Sequence, residues 1–464
     1  MKKQVLFFIS ALVFFGAEAQ TSKYIKGGVL DAVEITSSST ETYASYVPAN
    51  YDERKKWPVV YVFDPKAAGA EAIKGFISGA EDYGYVVIAS NIAKNGDYQT
   101  NFRHISRLMN EVNDHFSIDP NRIILSGFSG AARLAAASAV LSKNISAVIG
   151  CGASFDVGGS YMPVKNTFMY VGVIGDEDFN YIEMLEGVNY LDMRKFDTEL
   201  IVFKGGHEWP EEEYISKALR SLSVKYMAKG LQKRDDVLLE RYYQVDYEEA
   251  DRLLKKGDLL YSYDAFETMI ENFRFFKDVD PVKDKLKEIK RSNLYKAQLS
   301  EYRRIVQAES LYRDEYYSFL PGDIELGDTR NLTYWSEEIE KINDLANSPK
   351  MENKKMAKRL RGLLAGLAGA YEKQLIPETH AQNLLFVNIL YTILLPEEPA
   401  PYLKTVQFAT MMGKYDMALY YLEDLLKSGY KNIKELDNLE GIALLRISTE
   451  YNDLLTKYDL KTRY

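Results

Sequence analysis

The stretch Arg122-Ile-Ile-Leu-Ser-Gly-Phe-Ser-Gly-Ala-Ala-Arg-Leu-Ala constrains what this chain can fold into more than any other. It runs from an apolar, β-branched segment that suits a buried strand, through Gly127-Phe128-Ser129-Gly130-Ala131, into an alanine-rich segment that suits a helix. The Gly-x-Ser-x-Gly/Ala spacing alone is weak, since a chain of 464 residues with 29 glycines can produce it by chance. At a strand-to-helix turn it becomes informative. Small residues at 127 and 131 permit a tight turn that lifts a serine hydroxyl above a sheet, whereas a Cβ at 127 would strike neighbouring backbone. Ser129 is therefore a candidate nucleophile, with Ala131 in place of glycine a mild departure; a glycine-rich helix start without chemistry is the alternative.

The surroundings supply the sheet. Short apolar runs at 44–47, 59–63, 85–89, 123–126, 147–151, 168–173 and 199–203 alternate with amphipathic stretches near 70–83, 101–116, 130–142, 181–191 and 211–227. That alternation predicts parallel strands joined by crossover helices, and a continuous run such as Pro58-Val-Val-Tyr-Val-Phe63 predicts strands buried on both faces. After about Leu231 the strand-like runs end, and charged segments rich in Leu and Tyr continue at helical spacing. A chain of 464 residues also exceeds the roughly 250 to 300 at which single cores stop growing, so at least two domains are expected. The division expected is a leader at 1–19, an α/β domain at 20–230 and a helical domain at 231–464. Tyr402–Gly429 reads as an antiparallel helix pair with Ala409, Gly413, Tyr415 and Ala418 at tetratricopeptide-like crossing positions, and 430–457 reads like the closing stretch of such an array.

Lys2 and Lys3, the apolar run Val5–Phe15 and the small-x-small triplet Ala17-Glu18-Ala19 together read as a signal peptide cleaved after Ala19. The run is about half the ~20 residues a bilayer span requires. The expected location is periplasmic or secreted, in a bacterium, with no membrane span after cleavage. The single cysteine, Cys151, cannot form an intramolecular disulfide. A net charge of −9 provides no broad basic surface for nucleic acid or anionic lipid, so neither is an expected partner.

A serine hydroxyl needs a base to take its proton. Of four histidines, His207 follows the apolar run Glu199–Phe203 within Lys-Gly-Gly-His-Glu-Trp-Pro, where paired glycines let the backbone turn and present the ring at the sheet edge. His104, His115 and His380 fall in helical stretches and are expected to have structural or surface roles. A carboxylate must hold the imidazole in one tautomer, and Gly175-Asp-Glu-Asp offers three acids after the run 168–173. Asp178 is favoured because Gly175-x-x-Asp178 places its carboxylate beyond the turn and resembles the usual spacing of α/β-hydrolases; Asp176 is the runner-up or a turn cap, and Glu177 is expected to be solvated. A developing oxyanion needs two N–H donors, one from Gly130 and the other from the loop after 59–63. Pro65 has no N–H, which leaves the Lys66 amide as the expected second donor.

The order Ser129, Asp178, His207, the elbow, and the Gly-Gly-His-Glu-Trp-Pro segment resemble secreted serine esterases of the α/β-hydrolase superfamily, especially the group of poly(3-hydroxybutyrate) depolymerases and feruloyl esterases. Tyr46-Val-Pro-Ala-Asn-Tyr51 and Lys56-Trp-Pro-Val-Val-Tyr-Val-Phe are similar to their lead into the oxyanion loop, although Asp64-Pro65-Lys66 replaces the usual His-Gly. The resemblance spans about 43–227. It implies an α/β-hydrolase fold, which the all-α helical-repeat domain read from periodicity would follow, and ester hydrolysis through an acyl-serine, with no cofactor or metal. The implied substrate is a small-molecule, oligosaccharide or polymer ester, with Phe128 and Trp209 read either as cleft-lining or as packing residues and a protein partner as one role for the helical half. The rival readings are a serine peptidase and a non-catalytic tetratricopeptide scaffold with a vestigial hydrolase core.

Overall fold

The computed structural model describes residues 23–461; the leader expected at 1–19 lies outside them. Eight strands, β1 (Val29–Ile35), β2 (Ser38–Tyr46), β3 (Trp57–Phe63), β4 (Val86–Ser90), β5 (Ile118–Phe128), β6 (Ala147–Cys151), β7 (Met169–Gly175) and β8 (Thr198–Phe203), form one sheet. Their spatial order is β1-β2-β4-β3-β5-β6-β7-β8. β2 runs antiparallel to both neighbours, and β3 to β8 are mutually parallel. This is the α/β-hydrolase fold.

The continuous apolar runs become strands buried on both faces: every residue of β4, β6 and β7 is buried. Side chains alternate between two cores, as the two-residue strand period demands. Val59, Tyr61 and Phe63 pack beneath the helices Tyr98–His115, Gly130–Leu141 and Tyr181–Met193. Val60 and Val62 pack on the opposite face with Phe76 and with Ile215, Leu219 and Leu222 of the helix Glu212–Ala228. The first strand, β1, falls outside the seven apolar runs read from the sequence. It is an edge strand with exposed Asp31, Ala32 and Glu34, so burial imposes little pattern on it.

Every element after Ala228 is helical among the described residues. Val224 and Met227 of the last sheet-covering helix share a core with the helices Asp236–Lys256, Leu259–Phe273 and Asp280–Arg291. The long helix Asn293–Leu326 then passes the sheet-bearing half, where Tyr302 and Val306 join its core, and enters a further core built from residues 305–455. The stretch 402–429 forms the helices Pro399–Met411 and Tyr415–Lys427, and the residue between them with φ +70°, Gly413, supplies a left-handed turn that a Cβ would strain. No described helix is long and apolar enough to cross a membrane.

Candidate active site

The turn at the end of β5 is strained in the manner the spacing predicts. Ser129 adopts φ 53° and ψ −125°, a conformation that L-residues rarely occupy and that costs on the order of 1–3 kcal/mol. Close packing maintains it: a Cβ on Gly127 would lie 2.3 Å from the Ala131 carbonyl oxygen, so only glycine fits there. The Ser129 N–H donates to the Cys151 carbonyl at 2.8 Å, tying the turn to the end of β6. Gly130 opens the helix Gly130–Leu141, and its first-turn N–H has no intrahelical acceptor.

Around that serine the structure brings together the three side chains named from sequence. His207 Nε2 lies 2.9 Å from Ser129 Oγ, and Nδ1 lies 2.9 Å from each oxygen of Asp178. The imidazole remains 22% exposed while the Asp178 carboxylate is fully buried. Burial pushes the Asp178 carboxyl above its ordinary value, against the lowering pull of His207 and the Asn180 amide. Asn180 donates its N–H to Asp178 Oδ1 at 2.8 Å and its side-chain amide to the Gly152 carbonyl at 2.8 Å, which sets the carboxylate's direction.

The acid loop and the histidine loop lie side by side. The N–H of Asp176 donates to Phe203 O and that of Glu177 to Gly205 O, and a Cβ on Gly175 would come within 2.3 Å of Gly205 O and 2.6 Å of Gly206 O. The Gly-Gly pair therefore differs from its expected role. Neither Gly205 nor Gly206 has positive φ among the described residues; what glycine permits here is close approach, at Gly175 against both.

Asp176 and Glu177 face away from the imidazole. Asp176, the runner-up acid, accepts from Tyr261 Oη at 2.7 Å and pairs with Lys355 at 3.0 Å. Glu177, expected to be solvated, is half-buried and pairs with Lys358 at 2.7 Å. The other histidines are engaged elsewhere: His104 with Glu41, His115 with Glu111, and His380 with Ile376 N–H.

The Lys66 amide, expected to be the second oxyanion donor, is taken by a local turn: it donates to Asp64 Oδ1 at 2.8 Å, and the Ala68 amide donates to the same oxygen at 3.2 Å. Asp64 Oδ2 accepts from Trp209 Nε1 at 2.9 Å, so Trp209 pins the β3 loop to the histidine loop. Phe128 is buried, with its ring 4.8 Å from the imidazole and 5.4 Å from the Trp209 indole. Both aromatics thus support the loops, and Trp209 also lines a small cavity of about 150 Å³ with Asp64, Glu71 and Ile215.

Two contacts were not read from sequence. A Cβ on Gly130 would fall 2.3 Å from Asn95 Oδ1 and 2.8 Å from Asn95 Nδ2, so the Asn95 carboxamide lies against the residue following Ser129. Its backbone N–H donates to Pro65 O at 3.0 Å. Phe179, next to the acid, places its ring 4.2 Å from that of His207. Neither has a local signature; both arise from loops that meet only in three dimensions.

A cleft of about 500 Å³ lies beside the helix that Ser129 precedes, lined by Arg133, Phe155, Glu183, Arg313 and Tyr317. A larger one of about 850 Å³ opens where β6, β7 and β8 begin, at the opposite end of the sheet from the serine turn. Ligands of open α/β sheets bind beyond the carboxyl ends of the strands, which sets the larger cleft apart from the serine turn; neither cleft is lined by Ser129, His207 or Asp178. Among the described residues no cluster of His, Cys, Asp and Glu is arranged to hold a metal.

No family model and no curated protein matches the chain. Among solved structures it is similar to a hyperthermophilic esterase from the archaeon Pyrobaculum calidifontis, at 12% identity and TM-score 0.37, over 43% of this chain and 87% of that one. It is likewise similar to esterase B from Lactobacillus rhamnosis, at 14% identity and TM-score 0.37, over 46% and 93% of the two chains. An S-formylglutathione hydrolase from Staphylococcus aureus is similar at 12% identity and TM-score 0.32, over 39% and 90%.

Proposed function

We propose that the protein is a serine hydrolase, and specifically a carboxylic ester hydrolase that works through an acyl-serine. The observation that carries this is the continuous hydrogen-bonded series Ser129, His207, Asp178, with 2.9 Å at each junction and the serine held in a strained turn. His207 Nε2 takes the Ser129 proton as Oγ attacks the carbonyl carbon, then returns it to the departing alcohol. Buried Asp178 holds the Nδ1–H tautomer and offsets the imidazolium charge. Water next attacks the acyl carbon by the same proton route, releasing acid and free Ser129.

The Gly130 N–H is one oxyanion donor in this scheme. With the Lys66 amide engaged by Asp64, the Asn95 carboxamide is our candidate for the other. The connection 152–168 between β6 and β7 contains no helix that would close over the serine. Together with the part-exposed imidazole of His207, this favours an ester with a bulky polar alcohol, such as an acylated oligosaccharide.

The test is turnover of p-nitrophenyl acetate, p-nitrophenyl butyrate and a peptide p-nitroanilide by the wild type and Ser129→Ala. Ester turnover that falls by about 10⁵-fold or more in the variant is expected. Preferential cleavage of the anilide would move the assignment to a peptidase, and a folded wild-type protein inert to all three would sink both.

A further inference from the structure

The acid loop 175–180 is gripped from outside its own half of the molecule. Arg359, on the helix Met351–Glu372, is 2% exposed and makes a bidentate pair with fully buried Glu309 of the helix Asn293–Leu326. Its remaining nitrogen, Nη1, donates to the Asp176 carbonyl at 2.5 Å. Lys355 and Tyr261 converge on the Asp176 carboxylate, Lys358 pairs with Glu177, and Arg313 Nη1 donates to the Phe179 carbonyl at 2.6 Å. The Phe179 side chain fills a notch in the helix Met351–Glu372, where a Cβ on Gly362 would lie 3.2 Å from Phe179 Cβ and one on Gly366 would lie 3.7 Å from its ring. The other side of that ring meets the imidazole of His207, centroid to centroid at 4.2 Å.

We propose that the helical half is a clamp that positions the catalytic histidine: Lys355, Tyr261 and Arg359 fix Asp176, Phe179 braces the imidazole, and Asp178 is thereby held where it meets Nδ1. Resting on the hydrolase function proposed above, this makes Lys355, Arg359 and Phe179 positioning residues that act through Asp178 and His207. Three features separate a clamp from simple adhesion between two halves. The contacts converge on Asp176, Glu177 and Phe179, which flank the acid; Phe179 touches the imidazole itself; and the Lys355–Asp176 and Arg359–Glu309 pairs are buried where solvent screens them little. Burial opposes the charge of Lys355, yet Asp176 and Glu352 outweigh it and raise its pKa, so the ammonium persists at neutral pH. Burial, reinforced by the Asp176 charge, likewise raises the Tyr261 phenol, which remains a donor. Small displacements of reacting groups cost rate steeply, about 100-fold for 1 Å, so an external brace has a clear kinetic consequence.

The test uses the full-length protein with Lys355→Met, Lys355→Arg and Phe179→Ala, measuring kcat and KM on p-nitrophenyl acetate below the melting temperature of each variant. Lys355→Met and Phe179→Ala are expected to lower kcat by about 10- to 100-fold with KM within about twofold, and Lys355→Arg to restore most of kcat. If Phe179→Ala does not fold, the Lys355 pair still decides the matter. A second readout is independent of turnover: the low-field Nδ1–H proton resonance of His207, assigned by its loss in His207→Gln, should broaden or vanish in Lys355→Met. Folded variants that keep both wild-type kcat and that resonance overturn the clamp. A wild type that shows the resonance but no Ser129-dependent turnover overturns the hydrolase assignment instead, and the resonance in Lys355→Met then decides the clamp alone.

Discussion

The serine turn at 127–131 and the acid loop at 175–180 are both strand-to-helix connections at the carboxyl end of the parallel strands, yet they are held by different means. The serine turn is held mainly by its own neighbours in sequence and in the sheet, with Asn95 packed against Gly130. Gly127 packs on the first turn of the following helix, and the Ser129 N–H is tethered to the neighbouring strand. The acid loop depends on three regions: Asn180 and Gly152 orient Asp178 from inside, the glycines at 205 and 206 flank it, and helices more than 80 residues downstream seize Asp176, Glu177 and Phe179. A nucleophile needs a single strained turn, which local sequence can encode. A carboxylate buried without solvent needs a scaffold to hold it, and here that scaffold includes the second half of the chain.

Asp178→Asn against Asp176→Asn tests the division of roles within the acid loop and should give the largest effect. The first should lower kcat by about 10⁴-fold through loss of the correct tautomer, and the second by far less. The stability effect has the opposite sign. Because the Asp178 pKa is raised in the folded state, its contribution to stability is fully present below the unfolded value and is lost as pH rises through the folded value. Melting temperatures should therefore favour Asp178→Asn over wild type by a margin that grows from pH 4 to pH 7. If Asp176→Asn proves the more damaging to kcat, the acid has been misassigned.

Next in size is Asn95→Ala, which probes the neighbourhood of the serine turn. Removing one oxyanion donor costs about 10²- to 10³-fold in kcat, so a loss of that order with little change in KM is expected. A change below about twofold would show that both donors come from the main chain. The smallest effect concerns Cys151, whose carbonyl tethers Ser129 and whose thiol burial pushes up to about 12. Iodoacetamide at pH 8 should leave it unmodified in the native protein and alkylate it in denaturant; ready native labelling would mean that the tether opens.

How much of this was legible in the sequence follows the same contrast. Ser129 and Gly127 lie within one short window whose letters are dictated by its own geometry. The parallel core strands were legible as apolar runs because both their faces are buried, whereas the exposed edge strand β1 carried no such pattern. His207 and Asp178 were reachable through strand-end position, although the glycines beside His207 make no positive-φ turn and the close approach there requires glycine at 175. The Lys66 amide was misread because an Asp two residues earlier captures it, a competition visible only once the turn is folded. Asn95, Phe179 and the Arg359–Glu309 pair left no trace, since each acquires its place from a partner distant in sequence.

The central claim, that Ser129 is the hydroxyl activated by His207, is tested most directly by fluorophosphonate labelling followed by mass spectrometry of the tryptic peptide Ile123–Arg133. That peptide contains two serines, and Ser126 is fully buried with its hydroxyl donating to Ile149 O at 3.0 Å. The account predicts one adduct, located by fragment ions on Ser129 and lost in His207→Gln. An adduct on Ser126 or outside this peptide, or labelling of Ser129 that persists undiminished without His207, would contradict it.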